Sequence, residues 1–274
     1  MEKVRKFFKK LFYIVGQPYM RVLPGQLAFF TVLSLIPIVA IIGIIASYFK
    51  MPIGSITDVT QVIIPSEITN LAVNNIAGKG LTFNLVIFFI TTFFLASNGS
   101  HSIIITSNEI YGIKGSAFFR RRLKAIVITL LLLLLILLVL AVPVFGNNIF
   151  DALKSELENT KSLEIISYFL KIIRIPLTML IMFFGIKMIY RMAPDKKTSK
   201  IGANLGPLFT TIMWIISTEI YSIYVKHFAI YNLFYGSISN IIILMIWIYF
   251  ISYIFVFGMA INATEEEDYK EMNS

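Results

Sequence analysis

IVITLLLLLLILLVLAVPVF, residues 126–145, carries no charged side chain. A helix needs roughly 20 apolar residues to cross the hydrocarbon core of a bilayer, and this run has that length. Five more apolar blocks lie at 24–49, 82–106, 165–190, 203–226 and 238–262, with this one extending over 124–146. The chain has 274 residues, 57% hydrophobic and only 14% charged, against roughly 25% charged in ordinary soluble domains. A soluble domain of this length cannot hide that much apolar surface. The fold class expected is an all-α membrane protein, a bundle of six transmembrane helices preceded by an N-terminal amphipathic interfacial helix. Three segments follow: 1–22, the amphipathic helix; 23–263, the transmembrane domain; and 264–274, an acidic cytoplasmic tail.

The basic residues between the blocks alternate. Lys3, Arg5, Lys6, Lys9, Lys10 and Arg21 precede the first block. Lys114, Arg120, Arg121 and Arg122 separate the second from the third, with Lys124 at the start of the third, and Lys187, Arg191, Lys196, Lys197 and Lys200 surround the fourth-to-fifth connection. The other connections hold only Lys50 and Lys79, then Lys154 and Lys161 among Asp151, Glu156, Glu158 and Glu164, then Lys226. Short loops rich in Lys and Arg stay inside, so both ends are expected in the cytoplasm. Glu265, Glu266, Glu267 and Asp268 contribute little to that rule. No short apolar stretch with a small-residue cleavage site follows the basic N-terminus, so no secretory signal is expected.

Within the first 16 residues Val4, Phe7, Phe8, Leu11, Phe12 and Val15 recur at helical spacing, while Lys3, Lys6, Lys9 and Lys10 lie off that stripe. Gly16 can end the helix and Pro18 prevents its return. Such a helix lies on the inner leaflet or packs against the bundle. In the first reading Lys6, Lys9 and Lys10, with Arg120, Arg121 and Arg122, meet anionic lipid. The connection 50–80 is too polar to span; Ile64, Ile68, Leu71, Ala72 and Ile76 suggest a short helix there, either a surface hairpin or a cover for a cavity. Six helices starting inside would place two halves of three in opposite orientation, which leaves an inverted repeat as a geometric possibility.

Ionisable groups inside a bilayer are expensive and are functional candidates by default. Glu219 lies well inside the fifth block, and Lys171 and Arg174 lie in the outer half of the fourth. At 1.5 Å rise per residue, Arg174 and Glu219 reach depths within about 3 Å of each other. The pair is read either as a substrate or proton-coupling site or as a structural ion pair, and Lys171 can also snorkel to the interface. Ser97, Asn98, Gly99, Ser100, His101 and Ser102 form a polar patch in the second block. His101 can relay protons near neutral pH, Asn98 can meet a substrate, and the small residues allow close helix approach or a dimer contact. Tyr221, Tyr224, Tyr231 and Tyr235 form an interfacial belt or line an outer mouth.

The chain has no cysteine, so disulfides, thiolate zinc and iron–sulfur sites are excluded. Its histidines, His101 and His227, are far apart, and Asp58, Asp151, Asp195 and Asp268 have no neighbour at ligand spacing. Metalloprotease, Walker, nucleophile-elbow and dinucleotide signatures are absent. No cofactor, no metal and no nucleic-acid partner is expected, and the chain is not expected to be an enzyme. The net charge of +9 is accounted for by inside-facing loops on anionic lipid.

QLAFFTVLSLIPIVAIIG at 26–43, RMAPD at 191–195 and YGSISNIIILMIWIYFISYIFVFGMAIN at 235–262 together resemble the YihY/BrkB family of bacterial inner-membrane proteins, as does the Arg120–Arg122 loop. The likeness spans nearly the whole chain, and Asn108-Glu109 resembles the family's asparagine near the end of the second helix. What it implies is six helices in the inner membrane. The family was once labelled ribonuclease BN, a label regarded as a misassignment; some members are associated with serum resistance or envelope lipid export. The resemblance implies neither a settled substrate nor a catalytic set. Two functions follow as expectations: a transporter or exporter of a small solute or amphiphile through a mid-membrane polar cavity, or a non-transporting scaffold that organises envelope lipid. A homo-oligomer is compatible with either.

Overall fold

The structure, a computed structural model, describes residues 2–48, 83–156, 160–196, 204–227 and 237–273. Seven helices account for almost all of them: α1 (Glu2–Val15), α2 (Tyr19–Tyr48), α3 (Phe83–Ile110), α4 (Phe118–Glu156), α5 (Thr160–Met192), α6 (Leu205–His227) and α7 (Ser237–Asn273). A helix runs through each of the six apolar blocks. Among the described residues, Phe118–Val139, Ile172–Met192 and Ile242–Glu265 are long and apolar enough to cross a membrane by length and composition. The 50–80 connection, Tyr231, Tyr235 and the side chain of Lys171 lie outside the described residues.

Consecutive helices pack side by side from α2 to α7, and α7 closes back onto α2. α3 also touches α7, and α1 lies on α7. The ring is held by residues whose size permits close approach. A Cβ on Gly99 would stand 2.9 Å from Ser34 Oγ. Ser34 donates instead to Phe30 O at 2.6 Å and to Ala96 O at 3.2 Å, which joins α2 to α3. Thr129 donates to Ser100 Oγ at 2.8 Å and joins α4 to α3. The small-residue patch is therefore buried by the chain's own helices. Ser97, Ser100 and Ser102 are each almost fully enclosed, while Asn98 and His101 are half-buried.

The helix limits at both ends are set locally. α2 starts at Tyr19, inside the segment assigned to the N-terminal helix, because only Gly16, Gln17 and Pro18 separate the two helices. Gly16 N donates to Phe12 O at 2.9 Å and closes α1 there. α1 buries Leu11 and Ile14 in the main core and leaves Arg5, Lys6 and Lys9 exposed, so one face of it packs against the bundle. At the other terminus α7 runs without a break through the acidic residues. Glu265 belongs to the bundle: its Oε2 accepts from Asn204 N at 3.1 Å and Leu205 N at 3.0 Å. A carboxylate there satisfies orphan amides of α6 and suits the positive end of its dipole.

Burial is uneven along the bundle. α1, the α3–α4 turn, the C-terminus of α5 and the N-terminus of α6 meet at one end, which carries Arg120–Arg122, Lys187 and Arg191 and is called here the basic end. Ala96–Asn108 of α3 and Ile254–Thr264 of α7 are largely buried toward that end. Away from it, Ile172 through Leu177 of α5 are all exposed, as are Glu219, Ile220 and Ile223 of α6 and Met245, Ile246, Tyr249 and Phe250 of α7.

Candidate functional site

Three polar junctions close the basic end. The first is built on Asp195. Its Oδ2 accepts from Asn108 Nδ2 and from Ser116 N, both at 2.9 Å, and its Oδ1 accepts from Lys124 Nζ at 2.9 Å. Asp195 N returns a bond to Asn108 Oδ1 at 2.9 Å. Lys124 also donates to Ala193 O at 2.8 Å and Pro194 O at 2.7 Å, carbonyls that the end of α5 leaves without helical donors. Four pieces of chain thus meet: the end of α3, the turn after it, the start of α4 and the end of α5. Burial by itself would raise the Asp195 carboxyl; the bonds from Ser116, Lys124 and Asn108 outweigh it and hold the group well below the usual carboxylate range. The turn is shaped for this. Gly112, at φ 59°, donates to Glu109 O at 3.2 Å, and Ile113 N donates to Asn108 O at 2.8 Å, a Schellman closure that needs the left-handed conformation glycine adopts freely.

The second junction ties α5, α6 and α7. Tyr190, fully buried, donates to Phe255 O at 2.6 Å, and its oxygen lies 2.8 Å from Thr210 Oγ1. Trp214 Nε1 donates to Ile251 O at 2.9 Å. Gly206 of α6 faces Gly258 of α7 so closely that a Cβ on Gly206 would overlap the Gly258 carbonyl oxygen. One turn on, Asn262 Nδ2 donates to Tyr111 Oη at 2.8 Å. The motif residues Asp195, Gly258 and Asn262, with Asn108, all fall within these two junctions.

The third junction engages two expected site residues with one another. Arg122 Nη1 donates to Asn98 Oδ1 at 2.8 Å and Nη2 to Phe94 O at 2.9 Å, and the guanidinium carbon lies 3.6 Å from the Phe94 ring centroid. Arg122 is thus turned onto α3, while Arg120 is exposed. Arg122→Lys keeps the charge but loses the planar fork and the stacking. Its expected cost is about 1–2 kcal/mol, read as a lower melting temperature of detergent-solubilised protein. Arg120→Lys is expected to leave that temperature unchanged, and equal melting of the two variants would show that the Arg122 contacts contribute nothing.

Between these junctions runs a polar interior. Ser97, Ser100, Ser102, Thr106, Ser107 and Asn108 are each at most 5% exposed. They extend over 12 residues of α3, roughly 16 Å at 1.5 Å per residue step. Ser102 Oγ, Thr106 Oγ1, Ser107 Oγ, Asn262 Oδ1 and His101 Nε2 have no protein partner. His101 itself is half-buried. At the mouth of the basic end, Lys9, Lys10, Tyr13, Gln17, Glu109 and Tyr111 line a cavity of about 490 Å³ between α1 and the α3–α4 turn.

Arg174 and Glu219 are not brought together. Both are described and exposed, and no ion pair joins them, whereas Lys124 and Asp195 form one at 2.9 Å. Equal depth on neighbouring helices does not fix which way each side chain faces. Both stand in the loosely packed half, away from the buried polar stripe. Among the described residues no three His, Cys, Asp or Glu side chains stand close enough to hold a metal ion.

Long apolar helices, a polar stripe enclosed among them and cations gathered at one end define a helical membrane protein. The family described as Virulence factor BrkB matches residues 18–274, and the chain belongs to it, as the three quoted motifs imply. A Bacillus subtilis relative, Putative ribonuclease-like protein YfkH, is 31% identical over 250 residues, 87% of each chain. UPF0761 membrane protein VP0125 of Vibrio parahaemolyticus is 24% identical over 276 aligned residues, 97% of this chain and 84% of that one. A UPF0761 membrane protein of Vibrio atlanticus is 24% identical over 262 residues, covering 90% and 79%. No solved structure matches.

Proposed function

We propose that this BrkB-family protein is a multi-pass transporter or exporter of the bacterial cytoplasmic membrane, with six spans and both termini inside, and that its cargo is a small solute or amphiphile. The observation that carries the reading is the enclosed polar stripe of α3, with hydroxyls of Ser102, Thr106 and Ser107 that no protein group satisfies. A buried polar group without a partner costs a few kcal/mol, and inside a bilayer such groups face an interior polar space rather than lipid. The uneven packing supports a form closed at the basic end and open at the other. In that form Glu219 and Arg174 stand at the open side, where they would meet a substrate or a coupling ion, with Asn98 and His101 deeper; Lys171 is a further candidate. No catalytic step is assigned to any residue.

The absence of cysteine makes every single-cysteine variant free of background. Glu219→Cys and Arg174→Cys are expected to react with a membrane-impermeant maleimide from the outer face, and Ser102→Cys more slowly but measurably. Gly115→Cys, in the α3–α4 turn, is expected to react only from the inner face. If positions 102, 174 and 219 resist the reagent from both faces, no aqueous route exists and the transport reading falls, leaving a scaffold that organises lipid.

A further inference from the structure

Beside α1 lies a second cavity, unlike the one at Lys9 and Lys10. It is a lateral groove of about 450 Å³ whose lining is almost entirely apolar. Phe8 and Phe12 of α1 form one wall; Leu205, Leu208 and Ile212 of α6 form the other; Phe257 of α7 is at its base. The rim is open: Phe8 is 49% exposed, Phe12 72%, Leu205 49% and Leu208 46%. Volume and lining fall in the range of small-molecule and cofactor pockets. The floor is built rather than incidental, because the Phe257 and Phe209 rings meet at 5.3 Å between centroids.

The cations that border this groove decide what fills it. Arg5 stands three residues before Phe8 and Lys9 three before Phe12, and both are exposed. Residues three apart are neighbours on a helix surface, so Arg5 edges the wall that the two phenylalanines form, while Lys9 stands beyond Phe12, between this groove and the first cavity, which it also lines. The amide end of α6 is close by, but the Glu265 carboxylate already accepts from Asn204 and Leu205. An anion at the rim is therefore met by the α1 cations.

We infer that this groove is a binding site for one anionic phospholipid, an acyl chain lying between α1 and α6 and the phosphate at Arg5 and Lys9. The inference goes beyond the transport reading and does not depend on it; it needs only that the chain resides in a membrane. It also gives the mixed face of α1 a purpose. Leu11 and Ile14 hold the helix to the bundle, and Phe8 and Phe12 remain exposed because their partner is lipid. The cations beside them lie at the level of the headgroups, as in helices that bind at membrane interfaces.

The test uses the full chain in mild detergent, exchanged into micelles containing equal amounts of dioleoylphosphatidylglycerol and dioleoylphosphatidylcholine, with bound lipid counted by native mass spectrometry. Wild-type protein is expected to retain phosphatidylglycerol over phosphatidylcholine by about tenfold. Leu208→Trp fills the groove from an already exposed position and is expected to remove the retained lipid, and Ile212→Trp repeats the block from the next turn. Arg5→Gln with Lys9→Gln is expected to retain lipid while losing the tenfold preference. Retention unchanged in both tryptophan variants overturns the site, and equal retention of the two lipids by wild type overturns the anionic assignment. A wild-type dimer that Leu208→Trp converts to monomer would mean that a second copy covers the groove, which also overturns the proposal. Because lipid is counted on folded protein of unchanged melting temperature, failure here leaves the cysteine-accessibility result standing.

Discussion

Gly206→Ala is expected to remove most folded protein from the membrane, and Gly258→Ala to do nearly the same. At the α6–α7 crossing a new Cβ on Gly206 would meet the Gly258 carbonyl oxygen, with Asn262 Cβ at 2.8 Å and Asn262 N at 3.2 Å. The obstacle is backbone, so no rotamer change relieves it. One α-helix must move off the other, and that motion also disturbs the Asn262–Tyr111 bond and the Glu265 cap. On Gly258 the new Cβ would overlap Thr210 Oγ1 and lie 2.7 Å from Tyr190 Oη, which breaks the Tyr190–Thr210 contact. Overpacking costs about 1–3 kcal/mol where neighbours can yield; these sites belong at or above the upper end of that range. Thermal melting in detergent and the yield of monodisperse protein measure it. Gly25→Ala is the control, since the nearest atom to its new Cβ is 3.9 Å away. Adding Thr210→Ala to Gly258→Ala should recover part of the loss, whereas Gly206→Ala has no such rescue. A Gly206→Ala protein that melts with wild type would show that the two backbones do not approach as described.

Asp195→Ala is the second large effect. It strips one oxygen partner from Lys124 and leaves Asn108 and Ser116 without their acceptor. The pair is sheltered, with Asp195 only 5% exposed and Lys124 20%. Removing one partner of a buried pair costs about 3–5 kcal/mol; Lys124 keeps the carbonyls of Ala193 and Pro194, so the expected loss is near 3 kcal/mol. Asp195→Asn keeps the shape and is expected to lose about half as much. The sign with pH follows from the carboxyl lying below its usual range in the folded protein. The stabilisation is complete above the unfolded value of about 3.9 and is lost as pH falls below it toward the folded value. Wild-type stability should therefore decline in acid through this group, and Asp195→Asn should remove that part of the decline. Identical acid profiles for wild type and Asp195→Asn would mean the carboxylate is not held by these donors.

The helices were readable because their signal is local. Twenty apolar residues in a row have few alternatives to a helix in lipid, and Gly16 with Pro18 marks a chain break whatever surrounds it. The junctions were not readable because their members are far apart in sequence: Asn108 from Asp195, Tyr190 from Phe255, Tyr111 from Asn262. Signals did exist. Gly112 after the last turn of α3 marks a C-terminus, and Lys124 at a helix start is out of place unless acceptors wait for it. Arg120–Arg122 illustrates the limit of charge counting. The loop's charge speaks to membrane side, yet it does not distinguish Arg122, which is folded onto Asn98 and Phe94, from Arg120, which is free of the bundle. Arg174 and Glu219 illustrate another limit, because rise per residue predicts depth but not azimuth.

The closing of α7 onto α2 and α1 bears on the order in which the chain is made. α1 leaves the ribosome before the helix it rests against. Until α7 is made α1 lacks that contact, and a helix with cations along one side and phenylalanines along the other waits best at the membrane surface. The wall that Leu205, Leu208 and Ile212 lend to the groove arrives only with α6, and the floor at Phe257 later still. The contact between these two helices therefore forms late, a later helix capturing an earlier one.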